Sequence, residues 1–111
     1  MKFDVKQKDG ATVLTIKERK ISADVSGELK AEFLVLCKPK ISKKLIVNLK
    51  EVEFCDSSGL SALLIAHRAM REHGGSVHLV QVHKKIFDLI KLSQLDRIFN
   101  INSTVAEALK N

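Results

Sequence analysis

The run Leu45-Ile46-Val47-Asn48-Leu49 constrains this chain more than any other segment. It is short and nearly continuously apolar, which suits a central strand covered on both faces better than an exposed hairpin strand. A strand of that kind needs partners on either side and helices above and below. The flanking sequence supplies both. Phe3 to Gln7 alternates apolar and polar, Asp9-Gly10 is a strong two-residue turn signal, and Thr12-Val13-Leu14-Thr15-Ile16 resumes a β-branched pattern, which predicts an opening hairpin.

From Val25 the apolar residues Leu29, Phe33, Leu36 and Cys37 fall at helical spacing, with Ser22 and Asp24 as candidate caps and Lys38-Pro39 as a stop. After Phe54-Cys55, the residues Leu60, Leu63, Leu64, His67 and Met70 form a second helical stripe that ends at Gly74-Gly75. Val77 to Val82 reads as a strand and Ile86-Phe87-Leu89-Ile90 as a helix. Ile98 to Ile101 reads as a short edge strand, and Thr104-Val105-Ala106-Glu107 as a capping box that starts a last helix. The chain is therefore expected to form an α/β fold, one domain over residues 1–111. Its mixed β-sheet is opened by a β-hairpin and carries about four helices in the order β-β-α-β-α-β-α-β-α.

Composition narrows the function. Hydrophobic residues at 45% and charged residues at 29% are those of a packed globular protein. The net charge of +6 raises nucleic acid as a partner, but the basic residues are scattered singly and in pairs (Lys43-Lys44, Lys84-Lys85) among acidic ones. No long basic run or interleaved aromatics are present for phosphate tracking and base stacking, so direct nucleic-acid binding is not expected. The pairs read as solvated ends of elements or the rim of a binding face. Met1 to Lys6 lacks a signal-peptide pattern and no apolar run approaches a membrane span, so a cytoplasmic protein without membrane insertion is expected. Cys37 and Cys55 then read as reduced core residues.

Enzyme chemistry finds little support. Ser57 lacks a Gly-x-Ser-x-Gly elbow, and there is no Gly-rich phosphate loop ending in Lys-Ser/Thr. The histidines His67, His73, His78 and His83 lack a compact ligand pattern, so neither metal nor cofactor is expected; His73 before Gly74 suits a helix C-terminus.

Asp56-Ser57-Ser58-Gly59 lies where a strand turns into a helix, the place where open α/β sheets put their useful surface. The plainer reading is a helix cap: Asp56 or Ser57 accepts hydrogen bonds from free first-turn amides. The sharper one is a modification site, because a helix N-terminus tolerates a phosphate and the added −1.5 to −2 charge, about, would expel a partner docked on acidic or apolar groups.

With Leu45 to Leu49, Val52, Phe54, Asp56-Ser57-Ser58-Gly59-Leu60, His73-Gly74-Gly75, Phe87, Leu92, Leu95, Ile98-Phe99 and Ile101 in that order, the chain resembles the STAS-domain anti-sigma-factor antagonists over almost its whole length. The resemblance implies a bacterial partner-switching protein without catalysis of its own. Its unmodified form would bind an anti-sigma factor that is also a serine kinase, freeing a sigma factor. Phosphorylation at Ser57 would break the complex, and a serine phosphatase would restore it. By the same resemblance Asp56 shapes and charges the site, and Ser58 and Gly59 form the helix start that lets the partner approach. The family's Gly-x-Leu/Ile-Asp element aligns with Arg19-Lys20-Ile21-Ser22, so Ser22 stands where the family has Asp, either capping the first helix or giving a weaker polar contact. A different class resembling the same family is the constitutive accessory subunit that docks onto a transporter ATPase, or a part of a stress-signalling scaffold. The accessory subunit needs no modified serine, and the scaffold predicts stable oligomers.

Overall fold

Asp9 and Gly10 both have positive φ, 50° and 82°, the backbone that a two-residue hairpin turn of the twist-compatible kind demands. They join β1 (Phe3–Lys8) to β2 (Ala11–Ile16) in antiparallel register from Phe3↔Ile16 to Lys8↔Ala11. The computed structural model describes residues 1–111. After the hairpin come β3 (Lys20–Ile21), α1 (Ala23–Leu36), β4 (Lys44–Asn48), β5 (Phe54–Cys55) and α2 (Ser57–Arg71). Then follow β6 (Ser76–Val80), α3 (Lys84–Leu92), a 3₁₀ turn (Leu95–Arg97), β7 (Asn100–Asn102) and α4 (Val105–Lys110).

The main sheet has the order β1-β2-β4-β6-β7, antiparallel only at the hairpin. β4 is its centre, as its apolar run predicts. Leu45 and Val47 point into the large core shared with α1, α2 and α3, whereas Ile46 points to the opposite face and packs with Ala11, Val13, Val80 and Ala108 of α4. All three residues are wholly buried. At about 25 cal/mol per Å² of apolar surface, this two-faced burial drives the fold.

Two elements depart from the expected order. β3 and β5 form a separate two-stranded parallel ladder, Lys20↔Phe54 and Ile21↔Cys55, so α2 starts from this small ladder and not from the main sheet. The edge strand begins at Asn100, because Leu95–Arg97 takes a 3₁₀ turn and Phe99 is drawn into the core.

The paired lysines are not merely solvated. Lys43 Nζ donates to the His73 carbonyl at 2.8 Å, beyond the end of α2, and Lys44 Nζ donates to Ala108 and Asn111 carbonyls at 2.9 and 2.5 Å, at the end of α4. Neighbouring residues at the start of β4 thus cap helices on opposite faces, placing positive charge where the helix dipole is negative. The last capping box is slightly displaced: Thr104 Oγ1 accepts from the Glu107 amide, but the Glu107 carboxylate accepts from Ser103 and not from Thr104. Cys37 and Cys55 are buried, unpaired thiols, pushed up to about 11 and about 12 by desolvation, with the Asp56 charge adding to Cys55.

His78 is buried beneath α4's face of the sheet, its Nδ1 3.0 Å from Asn102 Oδ1 and its Nε2 3.1 Å from Ser76 Oγ. Burial holds its pKa below the ordinary 6.5, with the Asn102 hydrogen bond opposing and Lys44 assisting. A lowered histidine pKa means that the unfolded chain takes up the proton first as pH falls below about 6.5, so acidification favours unfolding. His67, lowered mainly by desolvation, acts in the same direction. The melting temperature should therefore drop between pH 7.5 and pH 5.5, and drop less in a His78→Gln variant. A pH profile of the same slope in both proteins would contradict this role for His78.

Candidate functional site

Asp56 is the hinge between β5 and α2. It sits in the N-cap position with extended backbone, and its Oδ1 accepts from the Ser58 amide at 2.9 Å, the Gly59 amide at 3.1 Å and the Ser58 hydroxyl at 2.5 Å. The Ser58 hydroxyl, then the Gly59 amide, hold the carboxyl below the usual carboxylate range, with smaller help from the Ser58 and Ala23 amides. Of the two candidate caps, Asp56 is the one that caps, which leaves Ser57 free.

Ser57 is the first helical residue of α2 and is exposed. Its position follows from the sequence: the carboxylate before it takes the amides of the next two residues, so the chain turns outward at Ser57 before the stripe of Leu60, Leu63 and Met70 buries the far side of the helix. Ser57 lies in a groove of about 470 Å³ that it shares with Phe54, Asp56, Lys85, Ile86 and Leu89. Phe54 is half exposed, giving the groove one apolar wall open to solvent.

The other residues of the segment separate by role. Ser58 is half-buried and turned back on Asp56. Gly59, expected to open the helix start to a partner, is itself buried. A β-carbon there would lie 2.5 Å from Cys55 Sγ and 2.6 Å from the Ile21 carbonyl, so glycine is needed for α2 to approach the β3–β5 ladder. Leu60 is buried in the main core.

Ser22 occupies the N-cap position of α1, but its side chain makes no capping hydrogen bond; only its carbonyl serves the helix, accepting from Val25 and Ser26. Because Ile21 pairs with Cys55 and its carbonyl accepts from the Asp56 amide, the starts of α1 and α2 lie side by side. Ser22 lines a different depression, with Lys17, Arg19, Lys20 and Asp24. The structure thus brings Asp56, Ser57 and Ser58 together and sets Ser22 next to them on an adjoining surface.

Sequence reasoning did not single out Phe54, Lys85, Ile86 and Leu89 as site residues. The last three come from α3, and nothing in their local pattern says which strand α3 will cover. The two lysines opening α3 are the one available signal, since cations are disfavoured at a helix N-terminus. His67 packs edge-on to Phe99 with ring centroids 6.1 Å apart. The His73 Nε2 lies 2.8 Å from the Cys37 carbonyl. No group of three or more His, Cys, Asp or Glu side chains is placed to hold a metal, and no helix is long and apolar enough to cross a membrane.

Comparison with known proteins places this geometry. A Thermotoga maritima protein provisionally described as an anti-sigma factor antagonist is 31% identical over 67 residues, which are 60% of this chain; the chain spans 59% of that curated relative's length. An anti-sigma-factor antagonist (STAS) domain protein from Planctomyces limnophilus superposes with a TM-score of 0.88 at 21% identity, covering 97% of this chain and 94% of that one. SpoIIAA of Bacillus, solved in its phosphorylated form, superposes with a TM-score of 0.74 at 17% identity, covering 98% and 97%. At those identities the two structures establish the shared fold. The family model described as the STAS domain matches residues 2–108, and the chain belongs to the STAS domain family.

Proposed function

We propose that this protein is an anti-sigma factor antagonist that switches partners through Ser57. Unmodified, it binds an anti-sigma factor with serine-kinase activity through the surface around Asp56, Ser57 and the Phe54 wall, and a sigma factor is released. The kinase transfers the γ-phosphoryl group of ATP to Ser57 Oγ: the new P–O bond forms at the serine, the bond to the β-phosphate oxygen breaks, ADP leaves, and the hydroxyl proton passes to a base of the kinase. A serine phosphatase hydrolyses the ester and resets the switch. The protein itself contributes a substrate serine and a docking surface, with no catalysis and no cofactor, and it acts in the bacterial cytoplasm.

One observation carries this reading. Ser57 is exposed at the first position of α2, with its neighbours' amides already satisfied by Asp56, so the hydroxyl is presented without unfolding the helix. Ser58, the next residue, is by contrast turned inward onto the Asp56 carboxylate. A phosphate there adds roughly two negative charges beside the Asp56 carboxylate. The contact patch then changes from a half-apolar groove to a strongly anionic one, and a partner packed on it loses both desolvated contacts and charge match. The relative described as an antagonist and the phosphorylated SpoIIAA, which has the same fold, agree with this reading.

Incubation with ATP and a histidine-kinase-fold anti-sigma kinase from the same genome should add one phosphate to the intact mass, and Ser57→Ala should abolish the gain. Ser57→Asp should bind the kinase more weakly than wild type while melting at a similar temperature. A mass that never changes, in a protein that copurifies with a transporter ATPase, would replace this reading with that of a constitutive accessory subunit.

A further inference from the structure

Lys85 is the one cation lining the groove that holds Ser57. The charges around it are committed elsewhere. Glu53 takes Arg19 at 2.8 Å, Lys84 takes Asp88 at 2.8 Å, and the His83 ring bonds the Lys50 carbonyl at 2.7 Å. Asp56 Oδ1 is occupied by Ser58 and Gly59. Lys85 forms no salt bridge and no side-chain hydrogen bond, and it is exposed.

Its place in the helix makes this unusual. Lys84 and Lys85 are the first two residues of α3, whose first turn carries no acidic residue and whose N-cap, His83, makes no side-chain capping bond. A cation at that end works against the helix dipole. Asp88, one turn on, offsets Lys84; Lys85 has no such contact, and the carboxylate whose field it feels, Glu53, is bonded to Arg19. Where a sequence breaks a local rule without a compensating contact, the position is a candidate for function. Here the missing contact is an anion bonded directly to the ammonium, and the hydroxyl that lines the same groove and could come to carry one is that of Ser57.

Resting on the reading of Ser57 as the phosphate acceptor, we propose that Lys85 receives the phosphate: its ammonium pairs with the phosphoseryl oxygens across the groove, in front of the first turn of α3. The pair spans the wall formed by Phe54, Ile86 and Leu89. Phosphorylation therefore covers apolar docking surface as well as adding charge, and the phosphorylated state is held by the protein's own side chain. A charge-assisted hydrogen bond of this kind is stronger than a neutral one.

The test uses the full chain with phosphoserine installed at position 57 by genetic encoding and follows the phosphate resonance by phosphorus-31 NMR through its second ionisation, ordinarily near about 6. Glu53 and Asp56 face the phosphate and oppose its ionisation, Lys85 favours it, and Arg19 and His83 are the same in every variant. Lys85→Gln should move the midpoint upward by about half a unit to one unit, the size expected for losing one partly exposed opposite charge. Lys84→Gln, which removes the same charge from the same turn, should leave it near wild type because Lys84 is turned to Asp88. Equal midpoints in wild type and Lys85→Gln overturn the proposal. An equal shift from Lys84→Gln also overturns it, because the effect is then a diffuse field and not a contact. Since no kinase is used, this outcome is independent of the mass assay: that assay decides whether Ser57 is the acceptor, and the NMR midpoint decides whether Lys85 receives the phosphate.

Discussion

Gly59→Ala is expected to destabilise the protein by about 2 kcal/mol and to lower its melting temperature by about 10 °C. The sign is opposite to that of the same change in an exposed helix, where replacing glycine by alanine stabilises by up to ~1 kcal/mol. Geometry decides which effect wins. The new methyl would sit 2.5 Å from Cys55 Sγ, 2.6 Å from the Ile21 carbonyl oxygen and 2.9 Å from Ile21 Cγ2. One of these is backbone, held by the Asp56 amide in the β3–β5 ladder, so it cannot rotate away as a flexible side chain would. Either α2 tilts outward or the ladder opens. Gly27 provides the control. It lies inside α1, is exposed, and a β-carbon there meets nothing within 4 Å; Gly27→Ala should raise stability by about 0.5–1 kcal/mol. Thermal or urea unfolding of the two variants checks both signs, and a Gly59→Ala protein as stable as wild type would contradict the close approach.

The consequence reaches the proposed switch site. The contact that forbids a side chain at position 59 also fixes the start of α2 against the start of α1, and so fixes Ser57 relative to Asp56 and the Phe54 wall. Glycine at position 59 is thus required by packing beneath the exposed serine, a demand separate from the open helix start that the family resemblance implied.

What was legible in the sequence follows period and burial. Leu45 to Leu49 announced a two-faced strand, and Asp9-Gly10 announced a tight turn, because local residue types determine those features directly. The stripe from Leu60 to Met70 placed α2, and Asp56-Ser57-Ser58 could be read as its start. The ladder of Lys20-Ile21 and Phe54-Cys55 was not legible: two residues per strand carry no alternation, and their pairing joins segments more than thirty residues apart. The groove was half legible for the same reason. Its floor, Asp56 and Ser57, is local to the motif, but its far wall comes from α3, which tertiary packing brings alongside. The Lys43 and Lys44 contacts with helix ends across both faces were likewise hidden in what reads as a solvated basic pair. Ser22 shows the limit of cap signals. It holds the N-cap position, yet its hydroxyl makes no bond to α1, so position alone did not establish its role.

Two phenylalanines should separate the fold from the surface it presents. Phe33 is wholly buried on the inner face of α1, among Leu29, Leu36 and the α2 side chains of the main core, whereas Phe54 is 50% exposed on the groove wall. Phe33→Ala removes a large side chain from a close-packed interior that relaxes only partly, an expected loss of about 3–5 kcal/mol. Small domains are stable by only about 5–15 kcal/mol, so this one change takes a large fraction of the total and lowers the melting temperature by roughly 15–25 °C. Phe54→Ala leaves a surface the solvent already reaches, so its stability cost should stay below about 1 kcal/mol while affinity for the proposed anti-sigma kinase falls, since aromatic residues at the centre of an interface dominate its energetics. Unfolding curves and binding isotherms of the two variants give the comparison. A Phe33→Ala protein melting within a few degrees of wild type would mean that α1 does not depend on the core contacts described, and a Phe54→Ala protein that binds the kinase as tightly as wild type would remove the groove wall from the docking surface.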